Sequence, residues 1–306
     1  MNSRAQIRLL PDRRRLHLHD GPIDVVLEAF GESNEVEHAY RTAANRFTSV
    51  LDELCAELIF LREPALLGGK SPRSPVAKKM LDAVLPFCLE TFITPMAAVA
   101  GAVAEELLEE MTSAAILKKA YVNDGGDIAL HLAPGEQFVI GMVELPEKPS
   151  LFGTTTIHLH DPIRGIATSG RRGRSFSLGI ADSVTVLATH AAQADAAATL
   201  IANAVDLPGH PTIRRVPAHD LAPDSDLGSR LVTQSVGPLT QNEIEHALDS
   251  GIAVAESFQR QGLIHSAALT LQGSVRLAEM SHLSIADTAV IKEIRSCLKL
   301  KSGRKQ

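Results

Sequence analysis

Alternation of apolar and polar residues sorts most of this chain into strands and helices before any motif is considered. From Leu16 to Phe30 two strands flank a turn at Asp20-Gly21-Pro22, with Val25, Leu27 and Ala29 on one better-buried face. Phe47, Leu51, Leu54, Leu58 and Leu61 recur every three or four residues. They mark the buried stripe of a long helix that opens near Ser33 or Asn34 and ends at Glu63-Pro64. Asn34 and Glu37 have capping-box spacing at its start. Breakers fill Gly68 to Pro75. Helices are expected from Val76 to Glu90, interrupted at Pro86, and from Met96 to Met111, which begins with small residues only (AAVAGAVA).

Lys119 to Leu132 reads as strand, tight turn, strand, and Glu136 to Glu144, Thr154 to His160 and Ser183 to Thr189 as further strands. Gly165 to Gly170 reads as a turn region, Ala191 to Val205 as an alanine-rich helix, and Pro146 to Ser150 as a linker. Asp206 to Gly237 is expected to be irregular apart from a short strand near Thr212 to Val216. Thr240 and Glu243 form a capping box for a helix carrying Ile244, Leu248, Ile252, Ala255 and Phe258, which Gly262 can close. Leu263 to Leu277 alternates around Gly273, and residues 301–306 should fray as a flexible C-terminal tail. Amphipathic, hairpin-linked strands between helices predict an α+β fold with antiparallel sheets, in a single domain over residues 1–300.

Composition narrows the function more than the fold. A net charge of −6 and 4% aromatic residues give neither the basic field nor the stacking platforms of a nucleic-acid binder. Positive charge is local, at Arg4, Arg8, Arg13, Arg14 and Arg15 and again at Arg164, Arg171, Arg172 and Arg174. The first group reads as a solvated terminus or a mobile basic arm, the second as plain surface or a phosphate contact. Three cysteines without a close pair argue against a disulfide framework, and Cys55 and Cys88 lie in apolar helical patterns that predict core positions. No signal core opens the chain, and the run from Phe92 to Ala104 is too short to span a bilayer, so a cytoplasmic protein is expected. The alanine-rich helix surface and amphipathic strands are compatible with a homodimer.

Four constellations could carry chemistry. Asn123-Asp124-Gly125-Gly126-Asp127 is either a plain hairpin turn or a turn whose amides approach an anion. Thr168-Ser169-Gly170, with arginines behind it, suits a phosphate or an unliganded turn equally. Asp195 and Thr199 stand one helical turn apart on an otherwise apolar helix. They could hold Mg²⁺, or Asp195 could interact with the helix dipole while Thr199 bonds back to a carbonyl. The pairs His17/His19 and His158/His160 each face one way on a strand, without an evident third zinc ligand. They belong to a near-repeat, LHLHDGPI and IHLHDPIRG.

The order of these pieces is informative. A small-residue helix (Ala97 to Ala104) precedes VNDGGDI (Val122 to Ile128), IATSG (Ile166 to Gly170), SVTVLA (Ser183 to Ala188) and ADAAAT (Ala194 to Thr199). This order resembles the ApbE superfamily of FAD-dependent flavin transferases, and more closely a family of uncharacterised ApbE-like proteins. The resemblance implies a T-fold-like α+β architecture, two intimate lobes around a cleft that holds FAD. It implies Mg²⁺ ligands at Asp195 and Thr199, with a backbone carbonyl near Ala98 to Ala100. It also implies a cofactor cleft lined by Asn123, Gly125, Gly126, Asp127, Thr168, Ser169, Gly170 and Arg171. The implied activity is FMN transfer to an acceptor flavoprotein or cleavage at the FAD diphosphate. No residue is assigned as catalytic. The small-residue segment lacks the lysine usual in that superfamily, and only RRGRSFSLGIAD separates TSG from SVTV, where a histidine-containing block is usual. The alternatives are a flavin-binding accessory or sensor without turnover, and an enzyme acting on another small heterocyclic metabolite.

Overall fold

The computed structural model describes residues 4–143 and 151–278. The expected linker at Pro146 to Ser150, Cys297 and the tail at 301–306 lie outside the described residues. One sheet organises the rest. Its nine strands, all paired antiparallel, are β1 (Gln6–Leu9), β2 (Leu16–Asp20), β3 (Ile23–Gly31), β4 (Leu117–Asp124), β5 (Asp127–Leu132), β8 (Gly165–Ser169), β9 (Ser183–Ala188), β12 (Ser266–Leu271) and β13 (Ser274–Ala278), in that spatial order. Two hairpins stand apart, β6 (Gln137–Val143) with β7 (Leu151–His158), and β10 (Ile213–Pro217) with β11 (Leu231–Val236). The helices are α1 (Ser33–Ala56), α2 (Leu58–Leu61), α3 (Pro75–Val84), α4 (Val99–Ala114), α5 (Ala191–Ala204), α6 (Ala218–Leu221) and α7 (Gln241–Arg260).

Strand alternation gives the sheet two different faces. Leu18, Val25, Leu27, Ala120, Val122, Ala167, Val184, Val186 and Leu269 point to one side and are buried. There α1 covers β2 and β3, α4 covers β4 and β5, α5 covers β8 and β9, and α7 covers β12 and β13. On the other side a second, smaller apolar cluster joins Leu130, Leu132 and Ile166 to Ile157 of β7. The α+β antiparallel expectation therefore holds.

Several local expectations need correction. Helix α1 starts at Ser33 with Glu32 at its N-cap and no side-chain cap; Asn34 turns to Glu35 instead of forming a box with Glu37. Cys55 is exposed, because the buried stripe runs through Ala39, Ala43, Phe47, Val50 and Leu54. Gly165 to Ser169 is a strand, held between β5 and β9, and the turn comes only at Gly170, where φ reaches 138°. The stretch from Asp206 to Gly237 gains β11, which the breakers around it hide. The N-terminal arginines are neither arm nor bare terminus. Arg8 lies in the edge strand β1 and the others flank it, with Arg4 on buried Asp20 at 2.5 Å and Arg14 on Glu28 at 2.6 Å. The capping box of α7 is present as expected.

Helix α5 is the tightest element. Ala191, Ala192, Ala194, Ala196, Ala197, Ala198 and Ala202 are all buried, so the helix has no solvent face along most of its length. Its neighbours approach at backbone range because they are glycine. A Cβ on Gly101 of α4 would lie 2.3 Å from the Ala191 carbonyl oxygen, and one on Gly165 of β8 would lie 2.2 Å from the His190 carbonyl carbon. A Cβ on Gly251 of α7 would press only on side-chain ends, Val205 Cγ2 at 2.4 Å and Leu269 Cδ2 at 2.7 Å, with the Ile201 carbonyl oxygen at an ordinary 3.5 Å. Gly101→Ala should therefore destabilise by about 1–3 kcal/mol, since backbone cannot rotate away. Gly251→Ala, with the same gain in helix propensity, should cost less. Urea unfolding of the two variants checks this; equal stability, or a more stable Gly101 variant, would contradict the packing argument.

Candidate functional site

The N-terminal turns of α4 and α5 lie side by side, and each is capped by the other helix. Neither has a side-chain cap of its own; the N-cap residues are Ala98 and His190. Asp195 Oδ2 accepts from the Gly101 amide at 3.1 Å, and the Ala100 amide also faces the Asp195 carboxyl. Glu105 Oε1 accepts from Ala191 at 2.5 Å and from Ala192 at 3.4 Å. The His190 ring lies 3.5 Å from the same carboxylate, which raises the His190 pKa. Orphan amides of both helix starts are thus satisfied in trans.

The hairpin between β4 and β5 brings two more carboxylates to the helix-covered side. Asp124 and Asp127 are cross-strand partners, so the two-residue turn Gly125-Gly126 sets both on one face. Positive φ at both glycines, 66° and 121°, suits the turn. The Thr168 amide donates to Asp127 Oδ1 at 3.0 Å, and the Asp24 amide to Asp124 Oδ1 at 3.4 Å. Burial is the largest effect on all three acids and pushes each toward the protonated form. Asp124 and Asp127 are pushed up to about 7. Asp195 is raised well above the ordinary aspartate range, with the charges of Asp127 and Asp124 adding to burial. The facing cation is Arg174, whose guanidinium is 3.7 Å from Asp124 and rests over Gly125, where a Cβ would lie 1.6 Å from Nη2.

The expected site residues divide between two faces. Asp127, Ser169, Asp195 and Thr199 converge on the helix side, with Thr199 Oγ1 donating to Ser169 Oγ at 3.4 Å. The Thr168 side chain alternates to the opposite face and pairs with Thr185 at 2.9 Å; only its amide serves the site. Asn123 also lies on that face, its Oδ1 accepting from the Gly126 amide at 2.8 Å. Gly170 permits the turn into Arg171, whose guanidinium is turned onto buried Asp182 at 2.5 Å. Asp182 also takes Arg172 Nε at 2.9 Å and the Gln272 amide at 2.6 Å. Asp124, Gly101 and Glu105 were not among the expected site residues. The two-residue turn, which makes Asp124 and Asp127 neighbours, is the signal that could have found the first of them.

These donors fit a hard divalent cation. Asp195 and Thr199 offer a carboxylate and a hydroxyl oxygen one turn apart, with a second carboxylate, Asp127, close enough to raise the first. Among the described residues no three His, Cys, Asp or Glu side chains converge as a complete metal cage. Mg²⁺ needs only one or two protein oxygens, because phosphate and water complete its shell.

Helices on one face of an antiparallel sheet, with acids placed at a glycine hairpin, are the class that fold and site define; no helix among the described residues is long and apolar enough to cross a membrane. The family model described as "AbpE bacteria" matches residues 7–277, and the chain belongs to that family. It is 33% identical over 186 residues to a UPF0280 protein of Methanopyrus kandleri, covering 59% of this chain and 69% of the relative. It is 30% identical over 171 residues to a UPF0280 protein of Archaeoglobus fulgidus, covering 56% and 69%. Among solved structures it is similar to a mutant of the flavin transferase ApbE from Vibrio cholerae, with TM-score 0.46 and 13% identity over 87% of this chain and 97% of that one. For the apo flavinyl transferase ApbE of Pseudomonas stutzeri the values are TM-score 0.39 and 12% identity, over 90% and 95%.

The raised acids make stability fall with rising pH. An aspartate titrates near 4 when unfolded, whereas Asp124 and Asp127 keep their protons to about 7. Between those values the folded state holds more protons than the unfolded state, so unfolding free energy declines as pH rises. The melting temperature of the wild type should fall between pH 4 and 7 relative to that of an Asp124→Asn/Asp127→Asn double variant. Parallel pH profiles for the two proteins would refute the linkage.

Proposed function

We propose that this protein binds a flavin nucleotide, FAD, through Mg²⁺ held at Asp195 and Thr199, and acts at the FAD diphosphate by cleavage or by FMN transfer to an acceptor flavoprotein. The observation that carries this reading is the placement of Asp195 and Thr199 one turn apart on α5, on the side of the sheet where the β4–β5 hairpin sets Asp124 and Asp127. A carboxylate and a hydroxyl at that spacing can share a cation that draws its other ligands from phosphate and water. The motif order from the small-residue segment to ADAAAT supports the flavin nucleotide as the ligand.

Each group then has a task. Asp195 and Thr199 would hold the cation, with Asp127 kept in place by the Thr168 amide. The Gly125-Gly126 backbone would sit against the diphosphate, and Arg174, 59% exposed above it, would reach a phosphate oxygen. Asp182 would fix the turn after Gly170 by tying down Arg171 and Arg172. A divalent cation bound there would neutralise charge developing on the phosphate oxygens. A second reading, binding without turnover as an accessory or sensor, is favoured by one contact: Asp195 already spends an oxygen on the α4 amides.

Titration of the purified protein with FAD, with and without MgCl₂, followed by product analysis, separates these readings. Binding should weaken at least about tenfold without Mg²⁺, which corresponds to roughly 1.4 kcal/mol. Asp195→Asn should retain the helix caps, because its amide oxygen still accepts, yet lose the Mg²⁺ dependence. FAD affinity that ignores both Mg²⁺ and this substitution would sink the metal assignment. Tight binding with FAD recovered intact would select the non-catalytic reading.

A further inference from the structure

The LHLHD motif takes no part in the site above, yet its first histidine lines a cavity of about 400 Å³ on the opposite face of the sheet. Arg8 of β1, His17 of β2 and Asp24 of β3 are neighbours across three strands. Arg8 Nε lies 3.1 Å from His17 Nδ1, and His17 Nε2 lies 2.5 Å from Asp24 Oδ1. A guanidinium can only donate, so Nδ1 is the acceptor and the ring proton sits on Nε2, directed at Asp24. His17 therefore stands between the Arg8 cation and the Asp24 anion. Among the described residues the Arg8 Nη groups contact no carboxylate, and Asp24 keeps its second oxygen free of side-chain partners. Leu10 and Val26 add apolar wall, Asn123 adds a carboxamide, and the Gly125-Gly126 turn closes one side.

We propose that this cavity binds a small zwitterion, an α-amino acid with an apolar side chain. Its carboxylate would take the Arg8 fork, its ammonium the free oxygen of Asp24, and its side chain the wall of Leu10 and Val26. Charge decides the class. A simple anion attracted by Arg8 meets Asp24, and a simple cation attracted by Asp24 meets Arg8; only a ligand carrying both charges satisfies both ends.

Calorimetric titration of the full chain with L-leucine tests this, against 4-methylpentanoate, which lacks the ammonium, and 3-methylbutylamine, which lacks the carboxylate. L-leucine should bind saturably and at least about tenfold more tightly than either analogue. Arg8→Gln and Asp24→Asn should each remove that advantage, while FAD binding with Mg²⁺ stays at the wild-type level in Arg8→Gln, so the two sites fail independently. The comparison of three ligands on wild-type protein stands even if a variant misfolds. No saturable L-leucine binding, equal binding of all three ligands, or binding indifferent to both substitutions would overturn the proposal.

Discussion

Everything near the candidate site depends on one contact, the crossing of α4 and α5 at Gly101. The absence of a side chain there lets the two helix starts meet at backbone distance. That closeness allows Asp195 to reach the amides of α4 while Glu105 reaches those of α5. A wider crossing would strand both carboxylates and leave two sets of amides without partners. The same approach sets Asp195 against the β4–β5 hairpin, where Asp127 and Asp124 add their charge. Packing thus comes first, and the electrostatics of the acid cluster follow from it.

The cost of this arrangement is visible in the acids. Burial raises all three, and few groups oppose that: the amides of Gly101 and Ala100 on Asp195, one amide each on Asp124 and Asp127, and the Arg174 guanidinium over Gly125. A purely structural cap needs one carboxylate, not three. Protein interiors seldom keep charges that destabilise one another unless a ligand or a function requires them. The cap uses Asp195 Oδ2, and Thr199, one turn further along α5, bonds to Ser169 instead.

Much of this was legible in the sequence, and the failures have physical causes. Alternation identified β2 to β5 and the alanine-rich helix because each buries one side chain set against a constant neighbour. It missed β1, which is exposed throughout and so carries no burial pattern, and β11, which lies among breakers. Gly165 to Ser169 looked like a turn because glycine and small polar residues dominate it. It is a strand because β5 and β9 pair with it from both sides, and that is information distant in sequence. The helix that sets Asp195 and Thr199 one turn apart was readable from the sequence. The choice of face for Thr168 and Asn123, and the diversion of Arg171 to Asp182, depended on register and tertiary partners that no local window contains.

The glycine contacts around α5 also bear on how this protein can change over generations. A helix walled by backbone at Gly101 and Gly165 has nowhere to put a larger residue, so alanine there is a ceiling as well as a preference. Side chains outside that wall lie between Gly170 and Gly179, where Arg172, Arg174 and Phe176 reach solvent. Substitution at those three positions can therefore alter the surface over the hairpin while the pair of helices beneath keeps its backbone contacts.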